Sequence, residues 1–296
     1  MNHDVIKEVS GKRYDTIQEI QKFNPYHGAD GRFASSSSYT QFTIRTKDPK
    51  KQHMADMAIA RMKEQHAANG AGRVEAAENT LKSLLRPDAV VNLKGCDPAV
   101  ADETVASVKK VMDRYPIAKD AVDGITTDDT DEGTFKNNPN VMAAYDNATR
   151  MVYLNKKYFG DKATMDKAYD EAVEKKYHPE GTRADSVVTH EIGHALDWHV
   201  SEQVLGRREV YWGGERISSR KWNNDIAAGR RKGEPLTNIS IRDNLSLYAS
   251  KNHAEYFAEG FAEGIHSPTP RKTATSIMKH LDTYVKKATN KPKDKW

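Results

Sequence analysis

A single cysteine, Cys96, in 296 residues leaves nothing to pair with inside the chain. Disulfide scaffolds, zinc fingers and thiol redox pairs are thereby excluded. Long apolar runs are missing as well. The longest is Val141-Met142-Ala143-Ala144-Tyr145, whereas a bilayer-spanning helix needs about 20 residues, so no membrane span is expected. The first residues carry Asp4 and Glu8 without an apolar stretch, which speaks against a secretory signal. Charge of one sign barely dominates, at +4 overall. It is unevenly placed: residues 266–296 hold eight Lys/Arg against two Asp. Such a tail can attract nucleic acid, but no aromatic platform alternates with its charges. Nucleic acid is therefore not expected as a primary partner, and the tail reads as a solvated terminus. A nucleic-acid binder using this tail and the basic run Arg230-Arg231-Lys232 would bind DNA with a steep salt dependence. With 37% hydrophobic and 30% charged residues, the composition is polar yet that of a folding chain.

What the chain does contain falls into four stretches. Residues 1–45 show no sustained period. They include Asn24-Pro25-Tyr26-His27-Gly28-Ala29-Asp30-Gly31-Arg32-Phe33 and a run of four serines at 35–38, which read as a flexible tail and joint. Residues 46–96 read as two helices. The first opens at Asp48-Pro49, places Met54, Met57, Ala58 and Met62 on one face, and stops at Gly70. The second carries Ala77, Leu81, Leu84 and Leu85 and stops at Pro87. The main domain spans 97–285. Asp97-Pro98 opens a helix with Val100, Val105, Val108, Val111 and Met112 on one face. Residues 117–126 suggest one strand, and residues 141–145 and 150–155 suggest strands around an Asp146-Asn147 turn. Helices are expected at 161–177, 185–199 and 252–265, with 205–245 irregular and 286–296 a basic tail. The fold class is α+β, mostly helical, with a small sheet before the long helix.

The chemistry concentrates at His190-Glu191-Ile192-Gly193-His194, an H-E-x-x-H pattern. Residues four apart share one helix face, so both imidazoles can converge on one ion. Glu191 sits about 100° round the helix, poorly placed as a ligand but suited to act as general base on a metal-activated water. A shuffled chain of this composition would show the pattern about 2 or 3 times in 100, so the flanks carry weight. Val187, Val188, Ile192, Ala195 and Leu196 make the surroundings apolar. Two histidines and a glutamate buried there without a partner would be costly, and a metal supplies one. The metzincin spacing fails, because Asp197 and Val200 stand where its glycine and third histidine would be. Asp197, one turn past His194, can orient a ligand or be a solvated helix charge.

A third ligand is expected in Asn252-His253-Ala254-Glu255-Tyr256-Phe257-Ala258-Glu259. Glu255 and Glu259 lie one turn apart beside Ala258 and Ala262, small enough for another helix to approach closely. Glu255 also fits a capping box with Asn252, and Glu259 a solvated face, so spacing leaves the ligand open between them. His199 and His253 read as surface residues.

Residues 190–197 together with 248–259 resemble the gluzincin-type catalytic domain of anthrax lethal factor and its relatives. The resemblance covers about residues 100–285. It implies a zincin-like domain preceded by a helical region, with Zn²⁺ held by His190, His194 and Glu255. It implies further that Tyr248 assists catalysis and that Glu259 supports the site from behind the ligands. Residues 203–244 contribute nothing to it. A shorter resemblance, in Asn24-Pro25-Tyr26-His27 with Gly31-Arg32-Phe33, is to a motif of phage head-morphogenesis proteins and prophage-borne toxins. The expected function is a zinc-dependent endopeptidase, a metalloprotease acting on a protein or peptide substrate and associated with a phage or prophage. It would be cytoplasmic in the producing cell or packaged in a virion, docking on head or portal proteins through the N-terminal region. The alternative is a structural minor head protein whose peptidase activity is absent or incidental.

Overall fold

The structure is a computed structural model and describes residues 5–9, 12–14, 43–46, 49–130 and 133–290. The motif at residues 24–33, the serine run, Asp48 and the last six residues lie outside them. Strands β1 (Val5–Val9), β2 (Lys12–Tyr14) and β3 (Thr43–Thr46) form an antiparallel sheet in the order β2-β1-β3. The expectation of an unstructured tail is corrected at these residues. Strands of three to five residues offer too few alternations to be read from sequence.

Helix α1 (Pro49–Leu84) is continuous where two helices were expected. A glycine in a helix interior costs only about 1 kcal/mol, and Gly70 is used for packing: a Cβ there would stand 3.2 Å from Cγ of Pro98. The C-terminal part of α1 buries Ala77, Leu81 and Leu85 as the spacing predicts, whereas Met54 and Met57 remain 59% and 47% exposed. Strand β4 (Val90–Asn92), absent from the sequence reading, follows. Helix α2 (Pro98–Arg114) starts where Asp97 accepts the Ala99 N–H at 2.8 Å, with Pro98 in the first turn.

Residues 116–120 form a 3₁₀ turn before β5 (Gly124–Thr126), and β6 (Ala143–Asp146) and β7 (Met151–Leu154) form the expected hairpin. The sheet order is β4-β5-β7-β6. The first two pairings are parallel, and β6 is antiparallel at the edge. Helix α3 (Lys162–Glu174) is capped by Asp161, which accepts the Thr164 N–H at 2.7 Å. Helix α4 (Ser186–Leu205) carries the H-E-x-x-H residues and packs on α2, β6 and β7.

Residues 205–245 are largely helical, which corrects the irregular reading. They contain Arg207–Tyr211, α5 (Ile217–Lys232) and Asn238–Asn244. Helix α5 buries only Ile217, Ser218 and Lys221, so it shows no apolar stripe. Helix α6 (His253–His266) is followed by α7 (Lys272–Thr289), which runs well into the stretch read as domain end and basic tail. Ala274, Ile277, Met278 and Leu281 are buried at helical spacing, but among so many lysines the stripe is easy to miss. The fold is thus α+β, mostly helical with a four-stranded sheet. Among the described residues no helix is long and apolar enough to cross a membrane. One continuous core joins Leu81, Val108, Ile125, Val152, Ile192 and Phe261. It leaves α4 flanked by the sheet on one side and α6 on the other.

Candidate metal centre

Helix α4 presents His190 and His194 on one face, their ring centroids 4.8 Å apart. Helix α6 crosses it closely because both surfaces are small at the contact. A Cβ on Gly193 would lie 3.1 Å from Phe261 Cδ1 and 3.3 Å from Ala258 Cα. That approach brings Glu255 to the imidazole pair. Asn252 caps α6, accepting the N–H groups of Ala254 and Glu255 at 2.9 and 3.0 Å. The Glu255 carboxylate does not complete a capping box but turns to α4. Its Oε2 lies 3.1 Å from His190 Nε2 and 3.3 Å from His194 Nε2, and the two Nε2 atoms are 3.1 Å apart.

These three edges test whether an ion fits. A tetrahedral ion with bonds of about 2.0–2.1 Å sets its ligand atoms about 3.3–3.4 Å from one another. The observed triangle is close to that face, and His190, His194 and Glu255 form a group that could hold a metal ion. The electrostatics agree. Burial alone would raise the Glu255 carboxyl, but its hydrogen bonds with His190 and then His194 hold it well below the ordinary range. Burial would lower His190, yet Glu255 and then Glu259 raise it well above its usual value. A cation bound there would displace the His190 proton and share the Glu255 carboxylate.

Glu191, the next residue on α4 after His190, is buried and lines the same cleft. Burial raises its pKa against the pull of His190 and His194, and the N–H of Tyr145 on edge strand β6 donates to it. Tyr248 stands in a 3₁₀ turn before α6, its ring centroid 5.8 Å from that of His190. Burial, then Glu255 and Glu191, push its hydroxyl well above the usual phenol range, so it remains a proton donor. The Lys251 ammonium sits 4.0 Å over the ring.

Glu259, only 1% exposed, lies behind the imidazoles. Its Oε1 is 2.9 Å from His190 Nδ1, close enough for an ion pair but off the ring's N–H direction. Ser246 donates to Oε2 at 2.6 Å, and His178 Nδ1 stands 3.3 Å from Oε1. Burial pushes this carboxyl up, but His178 and then His190 outweigh it and hold it at about 2.

Asp197 does not touch the imidazoles. It accepts from the N–H and hydroxyl of Ser218 at 2.9 and 2.6 Å and pairs with Arg216 at 3.1 Å. Ser218 Oγ is in turn 2.9 Å from His253 Nδ1. Asp197 therefore reaches the Glu255 helix only through Ser218 and His253, and His253 is an anchored residue rather than the plain surface histidine expected. His199 lies outside the group. The sequence reading missed Ser218, Ser246 and His178; the last stands in His178-Pro179-Glu180-Gly181, read only as a helix break. A cleft of about 340 Å³ opens beside these groups, lined by His178, His190, Glu191, Tyr248, Met142 and Ala143 among others. No protein-family model matches the chain, and no curated protein matches it in sequence.

Proposed function

We propose that the chain is a zinc-dependent endopeptidase of the gluzincin type, with His190, His194 and Glu255 as metal ligands. The observation that carries this reading is the triangle of three donor atoms with edges of 3.1–3.3 Å beside a buried carboxylate and an open cleft. Two imidazoles and one carboxylate, with room for a fourth partner, are a donor set suited to catalytic zinc. Zinc bound there would supply Lewis acidity, polarising a carbonyl and acidifying a water.

The protein's own groups would do the rest. Glu191, its proton affinity raised by burial, takes a proton from the attacking water and delivers it to the leaving amine. Tyr248 donates its hydroxyl proton in a hydrogen bond to the carbonyl oxygen as charge develops there. Glu259 holds His190 in place through Nδ1. Strand β6 is an edge strand that leads to Glu191 through Tyr145, so an extended peptide laid along it would pass the site. This favours cleavage within a chain.

The test is elemental analysis for zinc, paired with mass spectrometry of new termini in a proteome-derived peptide mixture, with and without a chelator. Glu191→Gln is expected to abolish cleavage while zinc stays near one per chain. Full activity in that variant would refute its role as base. The phage association rests on residues 24–33 alone, outside the described residues. A zinc-loaded protein inert toward the whole mixture would favour the particle-protein alternative.

A further inference from the structure

His178 is an imidazole at the cleft for which the proposed reaction has no use. Its ring lies flat on Tyr169, with centroids 4.8 Å apart and planes 2° from parallel. Tyr177 and Tyr248 meet it edge-on at 5.2 and 5.8 Å. The backbone beneath is pinned too: the N–H groups of Leu247 and Tyr248 donate to the carbonyls of Lys176 and Tyr177 at 2.7 and 3.1 Å. The Thr182 hydroxyl donates to the Pro179 carbonyl at 2.6 Å. The loop bearing His178 and the turn bearing Tyr248 are thus stitched into one wall.

Within that cage the ring's direction is fixed by Glu259, whose Oε1 is 3.3 Å from Nδ1. In the neutral imidazole that carries its hydrogen on Nδ1, facing that carboxylate, the other ring nitrogen offers a lone pair. Nε2 is on the opposite edge of the ring and has no hydrogen-bond partner among the described residues. It is not sealed in the core either, because His178 lines the cleft beside Glu191 and Tyr248. Orienting Glu259 would require Nδ1 alone; an aimed and unpaired Nε2 at the cleft wall calls for a ligand.

We infer that His178 is a substrate-binding residue whose Nε2 accepts a hydrogen bond from a main-chain N–H of the bound peptide. The inference rests on the peptidase reading and adds to it a contact with the peptide backbone. Such a contact is available to any sequence except at proline, so His178 would fix the position of the chain and not the choice of side chain.

Asparagine places an amide near the Nδ1 position and nothing at Nε2, whereas glutamine reaches the Nε2 position. With a peptide that the zinc-loaded wild type cleaves, His178→Asn is expected to raise KM about tenfold and His178→Gln much less. Zinc affinity, measured by competition with a chelating dye, should stay within about twofold in both. Replacing amides of that peptide one at a time by esters removes single N–H groups. One ester should raise the wild-type KM about tenfold and leave the His178→Asn value unchanged. An unaltered KM in His178→Asn, or zinc affinity falling in step with activity, overturns the assignment. So does an ester series in which every peptide behaves alike with wild type and variant; the wild-type series decides the matter even if the variants fold poorly. If the wild type cleaves no peptide, the peptidase reading itself falls and this inference with it. Cleavage by the wild type with no effect of His178→Asn removes the inference alone.

Discussion

The carboxylates of this site divide their labour by environment. Glu255 and Glu259 both face imidazoles and are held below the ordinary carboxyl range, while Glu191, buried like Glu259, is raised. The difference lies in what each can reach. Glu255 hydrogen-bonds both histidines and Glu259 contacts two, whereas Glu191 has only a backbone N–H and the distant charge of the pair. Carboxyl groups pushed apart in this way suit the proposed roles of ligand, support and base. Tyr248 completes the set as a neutral donor. Tyr248→Phe should lower kcat by about 100-fold, the loss of about 3 kcal/mol expected for one oxyanion donor. Zinc content and KM should be nearly unchanged in that variant. A variant with wild-type kcat would remove Tyr248 from the reaction. At this scale the histidines and Glu191 were legible, because they lie within one helical turn of each other. Glu255 was legible only as one of two candidates, since a carboxylate at the third position of a helix caps as readily as it ligates.

Helix α6 positions the site from across the core, and its approach to α4 depends on Gly193. In isolation Gly193→Ala would favour the helix by about 1 kcal/mol. Here the added methyl meets a fully buried ring and a helix backbone at 3.1 and 3.3 Å, neither of which can swing aside. The expected net effect is destabilisation by about 1–2 kcal/mol, seen as a lower urea midpoint, with weaker zinc binding as α6 moves outward. A variant as stable as wild type would mean that the helices tolerate a wider spacing. The far end of α6 is held differently. Glu263 is fully buried and receives the Arg271 backbone N–H at 2.7 Å, Nε at 3.0 Å and Nη2 at 2.7 Å. Arg271 also donates to the Leu245 carbonyl. Arg271→Ala leaves that carboxylate without its cation and should cost about 3–5 kcal/mol. Arg271→Met combined with Glu263→Leu should recover most of the loss in thermal denaturation. Of these elements, α2, α3, α4, α6 and the β6–β7 hairpin were readable from caps and spacing. The helices in 205–245 were not, because α5 buries a serine and a lysine in place of an apolar stripe. Helix α7 has the stripe, but its lysines drew the reading toward a tail.

For the molecule as a whole, the proposed metal site would tie acid stability to metal content. In metal-free protein the Glu259 carboxyl titrates at about 2 against an ordinary 4.5. A lowered pKa means that its stabilising contribution is complete above pH 4.5 and is lost as pH falls toward 2. Glu255 shifts in the same direction. Melting temperature in the presence of a chelator should therefore drop across that window, and the drop should be shallower in Glu259→Gln. An unchanged slope would show that Glu259 is not ionised behind the imidazoles. His190 works the other way: its raised pKa stabilises below the ordinary 6.5, and that contribution fades as pH climbs through the raised value. In the proposed reading, zinc bound in place of that proton should stabilise by about 4 kcal/mol at a free concentration 1,000-fold above Kd.

Reading along the chain was enough to place two imidazoles and a carboxylate on one helix, to find the small residues that let another helix come near, and to exclude a disulfide framework. Those features depend on neighbours within a turn or on simple counts. Folding had to bring Glu255 to His190 across 65 residues of chain, and His178 to Glu259 across 81. No local pattern encodes such a distance, because it is fixed by how closely packed helices let their side chains approach, and that closeness is a property of the assembled core.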